Sequence, residues 1–295
     1  MKKKILVYSL ICSCFILACS RDSDDTSEPG TVDKKANLLG TGASANDFLA
    51  NTNFDKLLIE IAYVDGFRPT AQTISNFETF LRETTFKTDI EFIYKSLPSP
   101  NDDTLELDEI VDLESENRTA YNNGKTLTLY IYFANSPSEG DDEDEGLVTL
   151  GAVYRNTSMV IYESTIRNLA SRSVSISLTD VESATLNHEF GHLLGLVNLG
   201  TTPVNDHEDT TTNDEGNEEG NNHCNVTGCL MRAELQFGVA NKNSRLTSKN
   251  GMHADCNLSG MSMMKLLQQQ ASKGLPIVPV LDAECILDLQ NNGGR

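Results

Sequence analysis

From residue 54 onward the chain alternates between short apolar runs and amphipathic stretches, the pattern of strands interleaved with helices. Residues 57–64, Leu-Leu-Ile-Glu-Ile-Ala-Tyr-Val, are rich in aliphatic and β-branched side chains and predict a buried strand. Gly66 and Pro69 break the chain, after which Ile74, Phe77, Phe80 and Leu81 share one helical face across residues 70–85. A second strand over 89–97 ends at Pro98-Ser99-Pro100, a more polar helix follows over 105–113, and 127–133 is a third strand. Residues 147–154 and 158–163 predict two shorter strands near a sheet edge. A long helix then opens near residue 180 at Thr179-Asp180-Val181-Glu182, which has the form of a capping box. Helices over 261–272 and 281–289 close the chain. The fold class is therefore α+β, a twisted mixed sheet with helices packed against it.

The N-terminal part follows different rules. Lys2, Lys3 and Lys4 precede an apolar run over 5–18 that is too short to span a bilayer and fits a secretory signal peptide, residues 1–18. Ile16-Leu17-Ala18-Cys19 resembles a bacterial lipobox, which implies that Cys19 carries lipid and becomes the first residue of the mature chain. Residues 20–53 are rich in Ser, Asp, Thr, Gly and Asn, so 19–53 is expected to be a disordered tether. Asp22, Asp24 and Asp25 resemble the surface-export signal of Bacteroidetes lipoproteins. The expected location is the outer membrane, at the cell surface.

Charge narrows the partners. The formal charge of −20 becomes −23 once the signal leaves, which excludes nucleic acid and an anionic bilayer surface as the main partner. The acidic run over 139–146 lacks the spacing of a calcium loop and reads as a solvated loop. Of seven cysteines, Cys224, Cys229, Cys256 and Cys285 remain in the folded part, and an even four in an exported chain predicts two disulfides, with a structural metal as the rival.

The chemistry lies in His188-Glu189-Phe190-Gly191-His192. Four residues advance a helix by about 400°, so the two imidazoles face the same way about 6 Å apart and can share one ion. Neutral imidazoles suit Zn²⁺, and Glu189, offset by about 100°, reaches a water on that ion as general base. Gly195 permits the turn that must follow, because Asn198 on a continued helix would lie about 9 Å beyond His192 along the axis.

His188-Glu189-x-x-His192-x-x-Gly195 resembles the metzincin clan of zinc peptidases, whose third ligand is usually a histidine at the place held here by Asn198. Downstream, His223-Cys224-x-x-x-x-Cys229-x-Met231 resembles the archaemetzincins. That resemblance implies His223 as third zinc ligand, Met231 as the Met-turn floor, and residues 196–222 as an acidic, exposed insertion. His207, inside the insertion, is the competing ligand. Archaemetzincins hold a second, structural zinc with a further Cys-x-x-Cys pair; here Cys256 and Cys285 stand apart, which favours disulfides. The implied protein is a monomeric zinc endopeptidase of residues 54–295, with one catalytic ion, a mixed sheet in an upper lobe and an irregular lower lobe with a C-terminal helix. Its expected substrates are proteins or peptides. The alternative is a surface module that keeps the fold for binding and cleaves nothing.

Overall fold

The computed structural model describes residues 34–142, 148–212, 215–232 and 260–295. Residues 1–18, Cys19, most of the acidic run after Asp142, the polar stretch 241–250, His253 and Cys256 lie outside the described residues. The described residues all belong to the unit Val32–Arg295.

Five strands form a mixed sheet in the order β2-β1-β3-β5-β4: β1 (Lys56–Val64), β2 (Asp89–Leu97), β3 (Thr126–Phe133), β4 (Gly151–Arg155) and β5 (Ser158–Ile161). The pairs β1–β2, β1–β3 and β3–β5 are parallel, while β4 runs antiparallel along one edge. The near-continuous apolar run of β1 follows from burial on both faces, as parallel strands require. Leu57, Ile59 and Ile61 pack with Phe77 of α2 (Ala71–Thr84) and Phe190 of α5 (Leu178–Leu193). Ala62 and Val64 face the opposite side, with Ile110 of α3 (Leu107–Asn117). Glu60, buried on that side, accepts hydrogen bonds from the backbone N–H groups of Thr119 (2.9 Å) and Ala120 (2.8 Å) as the chain leaves α3.

Two expectations change here. The tether was expected to run to residue 53, yet a 3₁₀ turn at Lys35–Asn37 and helix α1 (Ala45–Leu49) belong to the fold. Phe48 and Leu49 are fully buried, Phe48 meeting Phe190 edge-on at 5.2 Å, and buried Asn37 bonds the hydroxyls of Thr128 and Thr157. Polar composition concealed this because the anchorage rests on two apolar residues and one amide network. Helix α4 (Glu163–Ser171) was not anticipated; it follows β5 without a side-chain cap, so no start signal stands in the sequence.

The insertion is partly structured as well. Its hairpin comprises β6 (Glu208–Thr212) and β7 (Glu218–Cys224), and Leu196 and Val197 at its start are buried in the main core. Helices α6 (Gly260–Ser272) and α7 (Ala283–Asn291) complete the described fold. Among the described residues no helix is long and apolar enough to cross a membrane.

Candidate metal centre

Helix α5 carries the chemistry and is buried on nearly all sides from Val181 to Leu193. Its capping box begins earlier than expected: Ser177 Oγ accepts from Asp180 N, and Asp180 Oδ2 accepts from Ser177 N at 2.8 Å. Ser177-x-x-Asp180 satisfies the same spacing rule two residues upstream of Thr179. The helix ends at Gly195, whose φ of 77° gives the left-handed turn that a Cβ would oppose.

The fold brings His188, His192 and His223 together, one ring nitrogen from each lying within 4.8 Å of the others. His188 Nδ1–H donates to the Leu230 carbonyl at 2.8 Å, and His223 Nδ1–H donates to the Asn221 carbonyl at 2.7 Å. A carbonyl can only accept, so both rings carry the proton on Nδ1 and the lone pair on Nε2, as histidines that bind a metal through Nε2 do. His188 Nε2 and His192 Nε2 approach to 3.2 Å, a spacing that calls for a proton or a cation between them. All three rings are held neutral: burial, then the neighbouring His223, pushes His188 down to about 3; burial pushes His223 down to about 4; His192 falls well below the usual range for the same reason. Three neutral, convergent nitrogens fit a Zn²⁺ ion.

Glu189 lies beside them with no exposure. Neither carboxylate oxygen has a hydrogen-bond partner among the described residues, and burial pushes its pKa well above the ordinary carboxylate range. A buried carboxyl without a donor is costly, so this geometry fits a group that works on water at a metal. Gly151 of β4 makes the room: a Cβ there would sit 2.7 Å from Glu189 Cγ. If the centre hydrolyses peptides, Gly151→Ala is expected to displace the Glu189 side chain and lower turnover by about tenfold or more while metal content stays unchanged. Turnover measured beside metal stoichiometry checks this, and unchanged turnover counts against it. Met231 lies directly under the helix, where a Cβ on Gly191 would come within 2.3 Å of its Sδ.

The other candidates lie elsewhere. Asn198 is exposed and donates to Glu208 Oε2 at 3.0 Å. His207 is buried in a different cluster from the three histidines, with Nε2 2.8 Å from Asp288 Oδ2 and Nδ1 3.4 Å from Cys224 Sγ. The expected disulfides are not formed among the described cysteines: Cys224, Cys229 and Cys285 are buried free thiols. Cys229 Sγ and Cys285 Sγ stand 3.6 Å apart, against about 2.05 Å for a bond. Counting cysteines cannot tell a cross-link from a thiol cluster. His207, Cys224, Asp282 and Cys285 place donor atoms within 4.8 Å of one another, a second group able to hold a metal. Within the trio, hydrogen bonds from Cys224 and Cys285 push Cys229 down to about 4, while its neighbours push Cys285 up. Gly151, Asp282 and Asp288 were missed in the sequence; only Asp282 carried a signal, as the N-cap of α7 accepting from Cys285 N at 2.8 Å.

No family model matches this chain, and no curated protein matches it. Among solved structures it is similar to the crystal structure of archaemetzincin from Methanopyrus kandleri, at 15% sequence identity and a TM-score of 0.43, over 82% of this chain and 96% of that one.

Proposed function

We propose that this chain is a zinc-dependent endopeptidase. The carrying observation is the convergence of His188, His192 and His223 beside the partnerless, buried carboxyl of Glu189. The ion, when bound, supplies a Lewis acid that acidifies water and polarises a carbonyl. Glu189 takes the proton released as water attacks the peptide carbonyl, holds it on its carboxylate and delivers it to the departing amine. Burial assists this task, because a carboxylate short of hydrogen bonds is a stronger base than a solvated one. Leu230 and Asn221 keep His188 and His223 in the required tautomer through their carbonyls. β4, the antiparallel edge strand next to Glu189, offers backbone to an extended peptide, which favours a protein or peptide substrate over a small ester. The same reading takes the chain to be exported, lipidated at Cys19 and held at the outer membrane as a monomer.

The test is metal analysis with a casein or peptide-library assay on the purified protein. Cleavage is expected to disappear with o-phenanthroline and to return with added Zn²⁺. Cleavage that persists after the metal is stripped overturns the reading. So does a folded, zinc-loaded protein that cleaves nothing, the outcome a binding module would give.

A further inference from the structure

Thr165, Asn168 and Arg172, the last at the C-cap of α4, recur at spacings of three and four residues and so share one face of that helix. They line a cavity of about 160 Å³ whose apolar side is formed by Leu169 of the same helix, Val148 at the entry to β4 and Met261 of α6. Gly260 lets α6 close in on it: its N–H donates to the Val148 carbonyl at 2.6 Å, and a Cβ there would come within 2.6 Å of both Leu169 and Val148. A space of this size takes a single group about as large as benzene, hence one side chain. Its polar groups are unused. Thr165 is only 8% exposed, yet neither its hydroxyl nor the Asn168 amide has a hydrogen-bond partner among the described residues. Arg172 is the informative member. Of the other described arginines, four pair with carboxylates, two lie over aromatic rings and one bonds a backbone carbonyl. The Arg172 guanidinium does none of these, in a chain whose formal charge is −20. A planar cation with five donors, set beside an apolar wall, is matched by a carboxylate on a short hydrocarbon stem.

The position of the cavity relates it to the metal centre. Val148 stands three residues before Gly151, whose missing Cβ admits the Glu189 side chain. Three extended residues span about 10 Å, so a peptide laid along this edge with its reacting bond at Glu189 brings a residue about three places away over the cavity. Resting on the peptidase reading, we infer that Thr165, Asn168 and Arg172 form a specificity subsite for a carboxylate, about three residues from the bond that is cleaved. The stem of the ligand lies on Leu169, Val148 and Met261, its carboxylate takes the Arg172 fork, and the Asn168 amide and Thr165 hydroxyl donate to the same oxygens. Two parts of a peptide carry this chemistry: a glutamate side chain, and the free C-terminal carboxylate of a chain that ends there.

Full-length, zinc-loaded Glu189→Gln protein separates binding from cleavage. Calorimetry on it with two sets of short peptides tests the subsite: amidated peptides carrying one Glu or Gln at successive positions, and peptides ending in a free carboxylate or its amide. The acid is expected to bind about three- to tenfold more tightly than the amide, at one position of the first set or at the free end of the second. The first result assigns a glutamate side chain and the second a C-terminus. Arg172→Ala is expected to abolish the preference. Arg172→Glu is expected to replace it with a preference for Lys over Gln at the same place, which also shows that the variant is folded. Equal binding of acid and amide in both sets, or a preference that survives Arg172→Ala, overturns the subsite. With Glu189 restored, mass spectrometry of the products is expected to place the cut about three residues from the preferred acid, and cuts directly beside it overturn the placement. A preference that follows Arg172 in a protein that cleaves none of these peptides counts against the peptidase reading and leaves the carboxylate site standing.

Discussion

Glu189→Gln is expected to lower peptide hydrolysis by about 10²- to 10⁴-fold with zinc content unchanged. The substitution keeps the volume and shape of the side chain, and therefore its fit under Gly151, where no Cβ stands in the way. What it removes is the ability to take and return a proton. Folding should not suffer. The wild-type carboxyl has no hydrogen-bond partner among the described residues, so an amide of the same shape takes no hydrogen bond away. Thermal midpoints of the two proteins, measured at neutral pH with zinc quantified in each, are expected to agree within a few degrees or to favour the variant. A variant that retains more than about a tenth of the wild-type kcat/KM would remove Glu189 from the role of general base.

Much of this was legible because it is local. The strand 57–64 and the helix 70–85 announce themselves through periodicity, and β1 and α2 occupy nearly those residues. The geometry of His188, Glu189 and His192 follows from helix pitch alone. His223 was reachable only through its spacing from Cys229 and Met231, because the intervening hairpin hides any local relation to α5. What the sequence withheld depends on contacts between distant segments. Gly151 matters because β4 passes over Glu189, which no local rule shows. Asp288 reads as an ordinary helical aspartate until α7 is folded against His207, 81 positions away. The hydrogen-bond network of Asn37, which reaches Thr157 across 120 positions, is of the same kind, and composition classed its segment as tether.

Glu163→Gln is expected to make the protein more stable at pH 8 by on the order of 2–4 kcal/mol, and to change little at pH 4. Glu163 opens α4 with no exposure; burial, then the neighbouring charge of Glu182 on α5, raises its pKa to about 9, with Arg167 pulling it back through a 2.5 Å hydrogen bond. Glu182 is held as an acceptor by Thr70 N–H and by the Thr73 hydroxyl of α2, so the proton the pair shares belongs on Glu163. In the unfolded chain Glu163 ionises near 4.5 and in the native protein near 9. Its neutral form therefore favours the fold fully below about pH 4.5, and that contribution drains away as pH rises towards 9. Glutamine keeps the neutral state at every pH. The histidines oppose this trend in metal-free protein, because their folded values of about 3 and 4 for His188 and His223 make stability rise with pH toward 6.5. Comparing wild type with Glu163→Gln cancels that contribution, since both proteins carry the same imidazoles. Urea unfolding of the pair at pH 5, 6.5 and 8 should show a gap that widens with pH. A gap that stays constant, or a variant less stable at pH 8 through loss of the Arg167 partner, would mean that Glu163 is ionised in the native protein and that Arg167 outweighs Glu182.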